Sequence, residues 1–195
     1  MKRFFIPLFL CLALAVPSPG WTADYQLDAD HSSISFKVSH LAVSSVTGRF
    51  NKVKGTASIQ GDDLASRRVQ VIIEAASVDT GHAKRDEHIR SADFLDAARY
   101  PTITFVSKRF LKDESGKMRI VGDLTLHGVT REITVDLKGF TPEIKDPWGM
   151  LRRGTTATAV IDRRDFGITW SKVMDYGLAV GNEVSAQIEI EWVRK

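Results

Sequence analysis

The side chains in this sequence best suited to proton transfer or metal binding are five histidines, at positions 31, 40, 82, 88 and 127. Their spacing offers no ready site. His82 and His88 are six apart, which does not align them on one helix face. His31 and His40 are nine apart on a strand-like segment, roughly 30 Å at about 3.3 Å per residue, too far to share a ligand. His127 stands beside Gly128 in a turn. Each histidine is therefore read first as a turn or rim group bonded to backbone, with a zinc site assembled across strands as the rarer case, and no metal is expected. Carboxylates do not cluster on apolar faces. Asp28 and Asp30 read as turn residues before a strand. Asp162-Arg163-Arg164-Asp165 reads as a charge-balanced knot at a rim, or as a basic grip on an anionic head group through Arg163 and Arg164. Arg85, Asp86 and Arg90 carry the same two readings. No serine lies in a Gly-x-Ser-x-Gly or Ser-x-x-Lys context, and no glycine loop suits a phosphate. No catalytic constellation emerges, so the chain is not expected to be an enzyme. An enzyme using His31, His40, His88 or His127 with a neighbouring carboxylate is the alternative.

The elements that must position these groups are strands, because alternation of apolar and polar residues dominates the chain. Ile34, Phe36, Val38 and His40 share a face with Ser32. Val69, Val71 and Ile73 form another such face, as do Ile103 with Phe105, Ile120 with Leu124 and Leu126, and Ile133, Val135 and Leu137. Val184, Ala186, Ile188, Ile190 and Trp192 close the series. With Thr47–Gln60 and Thr155–Asp162 the total is about eight strands, joined by short turns such as Glu114-Ser115-Gly116. Short turns imply an antiparallel meander, and closure on itself would remove exposed edges. An all-β, eight-stranded antiparallel barrel is the expected fold, ahead of a sandwich. One stretch, Gly81 to Ala98, is helix-like, with Thr80 as N-cap and Tyr100-Pro101 ending it. Such an insertion would lie across a barrel mouth or along its flank, with His88, Ile89, Phe94 and Leu95 turned inward. A second irregular stretch, from Arg163 to Asn182, is placed to form a rim. An eight-stranded barrel is either just filled by its side chains or holds one small ligand. A narrow apolar tunnel would suit a long hydrocarbon chain, which needs area more than polar contacts. A filled core serving structure or protein interaction is the rival to such a lumen.

The chain has 195 residues, a formal charge of +3 and one cysteine. Its beginning differs from the rest: Met1-Lys2-Arg3, an apolar run from Phe4 to Val16, then Pro17-Ser18-Pro19-Gly20. This is the pattern of a secretory leader. Thirteen residues of helix span roughly 20 Å, short of the roughly 30 Å needed to cross a bilayer, so no lasting membrane span is expected. Cleavage is expected at about residue 23, give or take three, leaving one domain over residues 24–195. The leader takes Lys2, Arg3 and Cys11 with it. Lys plus Arg then falls from 27 to 25 against 24 acids, a balance of +1 with no cysteine. That excludes disulfide and thiol chemistry, and a near-neutral charge argues against nucleic acid.

Several strings resemble the YceI-like family. They are Tyr25-Gln-Leu-Asp28, His31-Ser-Ser-Ile34-Ser-Phe36-Lys-Val38-Ser-His40, Val46-Thr-Gly48-Arg-Phe50 and Ala76-Ser-Val-Asp-Thr80. Further along come Arg85-Asp-Glu-His88-Ile-Arg90-Ser91 with Asp93-Phe94-Leu95, Tyr100-Pro-Thr-Ile103-Thr-Phe105, Gly122-Asp-Leu-Thr-Leu-His127-Gly128, Arg163-Arg-Asp-Phe166-Gly-Ile168 and Val180-Gly-Asn-Glu-Val184. The match spans the chain beyond the leader. Asn182 departs from it, standing where an aspartate is expected. The resemblance implies a lipocalin-like barrel in the periplasm that binds a polyisoprenoid chain, an isoprenoid quinone or polyprenyl lipid, for transport, storage or stress response. No other cofactor is implied, and a homodimer is left open. The side chains expected around such a chain are Ile34, Phe36, Val38, Val71, Ile73, Phe94, Ile103, Phe105, Leu124, Leu126, Phe166, Trp170, Ile188 and Ile190. His88, Arg90, Arg163 and Arg164 are expected near its polar head.

Overall fold

A computed structural model describes residues 23–59, 63–174 and 177–195. The expected leader and the Gly61-Asp62 turn lie outside the described residues, save for Ala23 at the leader's end. The strands are β1 (Ala23–His40), β2 (Ser44–Phe50), β3 (Val53–Ile59), β4 (Arg68–Glu74), β5 (Val78–Asp79), β6 (Thr102–Lys112) and β7 (Met118–Leu126). They continue with β8 (Val129–Phe140), β9 (Ile144–Lys145), β10 (Leu151–Asp162), β11 (Val173–Met174), β12 (Gly177–Leu178) and β13 (Val180–Arg194). Strands β1, β3, β4, β6, β7, β8, β10 and β13 pair in that order, and β13 returns to β1 from Tyr25↔Arg194 to His40↔Val180. All of these pairings are antiparallel, so the expected closed eight-stranded meander is what forms.

Two details differ from the expected strands. The segment Thr47–Gln60 is not one straight strand. β2 pairs with the second half of β1 and β3 with the first half, and the chain bends between them at Asn51-Lys52. There Asn51 N–H donates to Ser77 O and Glu74 N–H donates to Lys52 O. The second detail is a bulge in β1. Asp28 faces Glu191, yet Ser33 already faces Glu189, so β1 spends five residues where β13 spends two. Ser32 Oγ holds the bulge by donating to Asp28 O (2.5 Å) and accepting from Glu191 N–H (3.0 Å). An odd excess flips the side-chain parity. Tyr25 and Leu27 point inward before the bulge, and even-numbered Ile34 is buried after it.

The helix-like stretch is also shorter than expected. Only Ala83–Arg90 forms α1, and His82 caps it instead of Thr80, with Nδ1 accepting from Arg85 N–H. Thr80 is committed to Asp86, donating to its Oδ1 through both N–H (2.9 Å) and Oγ (2.5 Å). Ser91 ends the helix in an extended conformation, its hydroxyl donating to His88 O at 2.8 Å. This side chain offers the backbone a local alternative to another turn. Residues 91–99 then fold into compact turns, with Asp96 at φ 43°.

The buried apolar side chains form two clusters. One, at the pole where β1 begins, gathers Tyr25, Leu27, Ile59, Phe110, Ile120, Leu137 and Trp192. The other packs Ala75, Val78, Leu95, Leu126, Phe166 and Ile168 beneath α1 and the 3-10 turn Arg163–Phe166. Outward faces carry cross-strand ion pairs such as Lys108–Asp123 (2.6 Å) and Lys117–Asp136 (3.0 Å). The β1–β2 turn is strained. Leu41 and Ala42 lie consecutively at φ 54° and 56°, a region that costs side-chain-bearing residues about 1–2 kcal/mol each. Among the described residues no helix is long and apolar enough to cross a membrane.

Candidate functional site

A cavity of about 530 Å³ runs down the barrel. Its walls are the inward positions of the strands. Ile34, Phe36 and Val38 come from β1, Val69, Val71 and Ile73 from β4, and Ile103 and Phe105 from β6. Ile120, Leu124 and Leu126 come from β7, and Ile188 and Ile190 from β13. Two aromatic rings find their places through bare glycine backbone on the adjacent strand. Phe36 lies over Gly48, its paired residue, and Phe105 lies over Gly122. A Cβ on either glycine would stand within 3.0 Å of the ring.

One pole is shut. Trp192, fully buried, forms the floor, and its indole N–H donates to Thr155 Oγ1 at 3.1 Å. That bond satisfies the two polar groups buried at the floor. Below it Tyr25 hydrogen-bonds Glu143. Burial first, and then this bond, push the Tyr25 phenol above its ordinary range. Along one side β10 and β13 contribute only small groups at mid-height. Ala159 pairs with Ala186, and Ala157 precedes them. These three methyls leave the room that larger side chains would fill.

The other pole opens under α1. Lys84, Arg85, His88 and Ile89 of the helix line it, with Phe94, Leu95 and Trp170. His88, Phe94 and Trp170 form a ring cluster with centroids 4.8–5.1 Å apart, edge-to-face at His88, a geometry worth more than its buried area alone. His88 Nε2 is bonded to Asp93 Oδ2 at 2.8 Å. The insertion thus lies across the mouth, as the sequence suggests.

Every ionisable side chain among the described lining residues is basic: His40, Lys84, Arg85, His88 and Arg163. Arg85 spends its donors on Thr80, through Nε to Oγ1 (2.7 Å) and Nη2 to the carbonyl (2.9 Å). Arg163 is only 4% exposed. Its guanidinium donates to Gly181 O (2.9 Å), Ile168 O (2.7 Å), Val180 O (3.2 Å) and Asn182 Oδ1 (3.4 Å). It ties the rim strand to the 3-10 turn, and burial lowers its pKa from the ordinary arginine value.

Of the eighteen side chains expected to meet a ligand, three lie elsewhere. Phe166 is swallowed by the cluster behind the wall, because Gly167 at φ 78° reverses the chain after the 3-10 turn. Arg164 turns out to solvent and chelates Asp162, with Nη2–Oδ2 at 2.5 Å. Its bonds to that carboxyl hold Asp162 at about 2. Arg90 donates back to Val78 O at 3.4 Å. Among the lining residues passed over in the sequence are Val46 and Phe50 on the bent β2, Phe140 on β8, and Ala157 and Ala159 on β10. For the alanines the signal was the small size of alternate residues from Thr155 to Ala159.

His127 behaves as a turn histidine, its Nδ1 bonded to Phe166 O at 3.1 Å. His31 pairs with Asp28 (3.0 Å), and both stand within 4.8 Å of Glu191. Arg152 supplies the cation there, with Nη1 at 2.7 Å from Asp28 and 2.5 Å from Glu191. The trio is thus balanced by an arginine within its own hydrogen-bond network.

A closed antiparallel barrel with one floor, one mouth and an apolar lumen defines a lipocalin-like binding barrel. The profile of the YceI-like domain matches residues 25–192, and the chain belongs to that family. A UPF0312 protein of Vibrio vulnificus is 39% identical over 197 residues, covering all of both chains. Among solved structures, Burkholderia cenocepacia BcnA superposes with a TM-score of 0.74 at 22% identity, over 85% of this chain and 98% of that one. A polyisoprenoid binding domain from Saccharophagus degradans, implicated in plant cell wall breakdown, gives 0.62 at 18% identity, over 88% and 98%.

Proposed function

We propose that this is a periplasmic binding protein whose barrel holds the hydrocarbon tail of a polyisoprenoid lipid, delivered across the inner membrane by the leader at residues 1–23. The cavity carries the reading. Packed interiors hold few voids larger than a water molecule, whereas about 530 Å³ falls within the roughly 300–1,000 Å³ range of ligand sites. Its length and apolar walls suit a chain. The Saccharophagus domain, named for binding a polyisoprenoid, supports the same class of ligand. The tail would run toward Trp192, and the polar head, a quinone or a phosphate, would rest at the mouth beside His88 and Arg163. A lumen that shields such a tail from water suits a carrier or storage role.

Native mass spectrometry of protein taken from its own periplasm tests this, with a lipid adduct as the expected result. An adduct-free protein that also refuses added polyprenols would reject it. Phe105→Arg places a charge in the lumen and should abolish uptake. Circular dichroism of that variant separates lost binding from lost folding, since an unpaired buried charge is costly.

A further inference from the structure

The mouth is edged by the β1–β2 turn and by the described strands of the β11–β12 hairpin, which the fold does not require to be apolar. The β1–β2 turn runs Leu41-Ala42-Val43, with Leu41 and Ala42 both in the left-handed region. Asn-Gly would make such a turn with little strain. Instead the turn holds Val43 82% exposed. Beside it the β11–β12 hairpin presents Val173, 83% exposed, and Leu178. Leu41 N–H donates to Ala179 O at 3.0 Å, which joins the turn to the base of the hairpin, and Ala179 N–H donates to Lys172 O at 2.8 Å within that base. His40 and Val180, at the root of the turn and of the hairpin, are paired and line the cavity. Single exposed apolar residues need no explanation. Strain, exposure and position at the opening coincide here.

Two lysines flank this edge. Lys172 on the hairpin and Lys84 on α1 are exposed, and neither forms an ion pair within the described residues. Asp86, next along the helix from Arg85, is turned inward onto Thr80, leaving Glu87 as the exposed acid of α1.

We propose that this edge docks on a bilayer surface carrying anionic lipid head groups. Val43 and Val173 enter the interface, Lys84 and Lys172 meet phosphates, and the mouth faces the membrane. The docking stands on the edge itself, and its purpose rests on the lumen being a lipid site. It adds that the tail passes between bilayer and barrel without crossing bulk water.

Co-sedimentation with vesicles of phosphatidylethanolamine mixed with phosphatidylglycerol tests it. The wild-type protein should pellet with them and pellet less with pure phosphatidylcholine. Val43→Asp/Val173→Asp should weaken partitioning roughly tenfold or more, since each valine forfeits burial. The milder Val43→Ser/Val173→Ser should shift it in the same direction, and it decides the matter if the aspartates impair folding. Trp148, 83% exposed on the loop beside β9 at the shut pole, is the control. Trp148→Ser should pellet like wild type. Wild-type protein that stays in the supernatant, mouth variants that pellet unchanged, or loss confined to Trp148→Ser would each overturn the docking. Uptake of a polyprenol delivered from cyclodextrin is read separately. Its failure in a protein that still pellets would count against the lumen reading and leave the docking standing.

Discussion

Replacing Ala159 by phenylalanine asks whether the barrel interior is a lumen or a packed core, because the two answers differ in sign. Ala159 lines the cavity opposite Ala186, midway between the mouth and the Trp192 floor. If the space beside it is free, a phenyl ring buried there gains about 1.5–3 kcal/mol over an exposed one. Lost rotamer freedom takes back about 0.5–1 kcal/mol. The net is a stabilisation of about 1 kcal/mol, or roughly 2–4 °C in Tm for a domain of this size. If the interior were close-packed, the same ring would overpack it and cost about 1–3 kcal/mol. Ligand response supplies the second readout. At a hundredfold excess over Kd, a polyprenol should stabilise the wild-type protein by about 2.7 kcal/mol. A ring across the lumen should remove most of that shift. Differential scanning calorimetry with and without lipid measures both. A lower Tm for the variant, or an undiminished lipid shift, would refute the lumen.

Two further perturbations test the rim and the shut pole. Arg163→Met removes the guanidinium donor from Gly181 O, Ile168 O and Asn182 Oδ1, and leaves Val180 O with Ser171 Oγ. Unmade buried bonds cost about 1–3 kcal/mol each, and water at the mouth recovers part. A loss of roughly 3 kcal/mol in urea denaturation is expected, with Arg163→Lys restoring only a fraction. An unchanged midpoint would mean that the guanidinium holds nothing. At the shut pole, burial raises the Asp28 pKa, but bonds from His31, Arg152 and Asp30 N–H outweigh it and bring the carboxyl from its ordinary 3.8 to about 2. A depressed carboxyl stabilises the fold above its unfolded pKa and loses that contribution as pH falls through the folded one. The difference of nearly two pH units corresponds to about 2.5 kcal/mol, which screening beside exposed His31 reduces to about 1 kcal/mol. Asp28→Asn should therefore flatten the stability profile between about pH 4 and pH 2, as read by urea midpoints, and a profile parallel to wild type would contradict this.

The strands were legible because each has one face in the lumen and one in water, so polarity alternates with the pleat. Ile188 and Ile190 needed nothing beyond that. The parity flip in β1 was not legible, since it depends on Ser32 bonding across to Glu191, a contact between residues far apart in the chain. The end of α1 was hidden for a related reason. Ser91 stops it through its own hydroxyl, whereas the helix-like composition runs on to Ala98. At the rim, Arg163 and Arg164 are adjacent and chemically alike. Only the fold turns one inward to carbonyls and the other outward to Asp162.

The property that separates a carrier from a filled barrel was present in the sequence but in a different variable. An eight-stranded barrel is just wide enough for side chains to fill it, so alternation of polarity is the same in both. What differs is size at the inward positions. Thr155-Thr-Ala157-Thr-Ala159 on β10, with Ala186 on β13, supplies methyls and a hydroxyl where Leu or Phe would close the lumen. Phe36, the cross-strand partner of Ala186, and Phe105 on β6 each sit close against glycine backbone, at Gly48 and Gly122. Capacity for a ligand therefore follows from the volume of every second residue, summed over neighbouring strands, and the outcome at Ala159 bears directly on that sum.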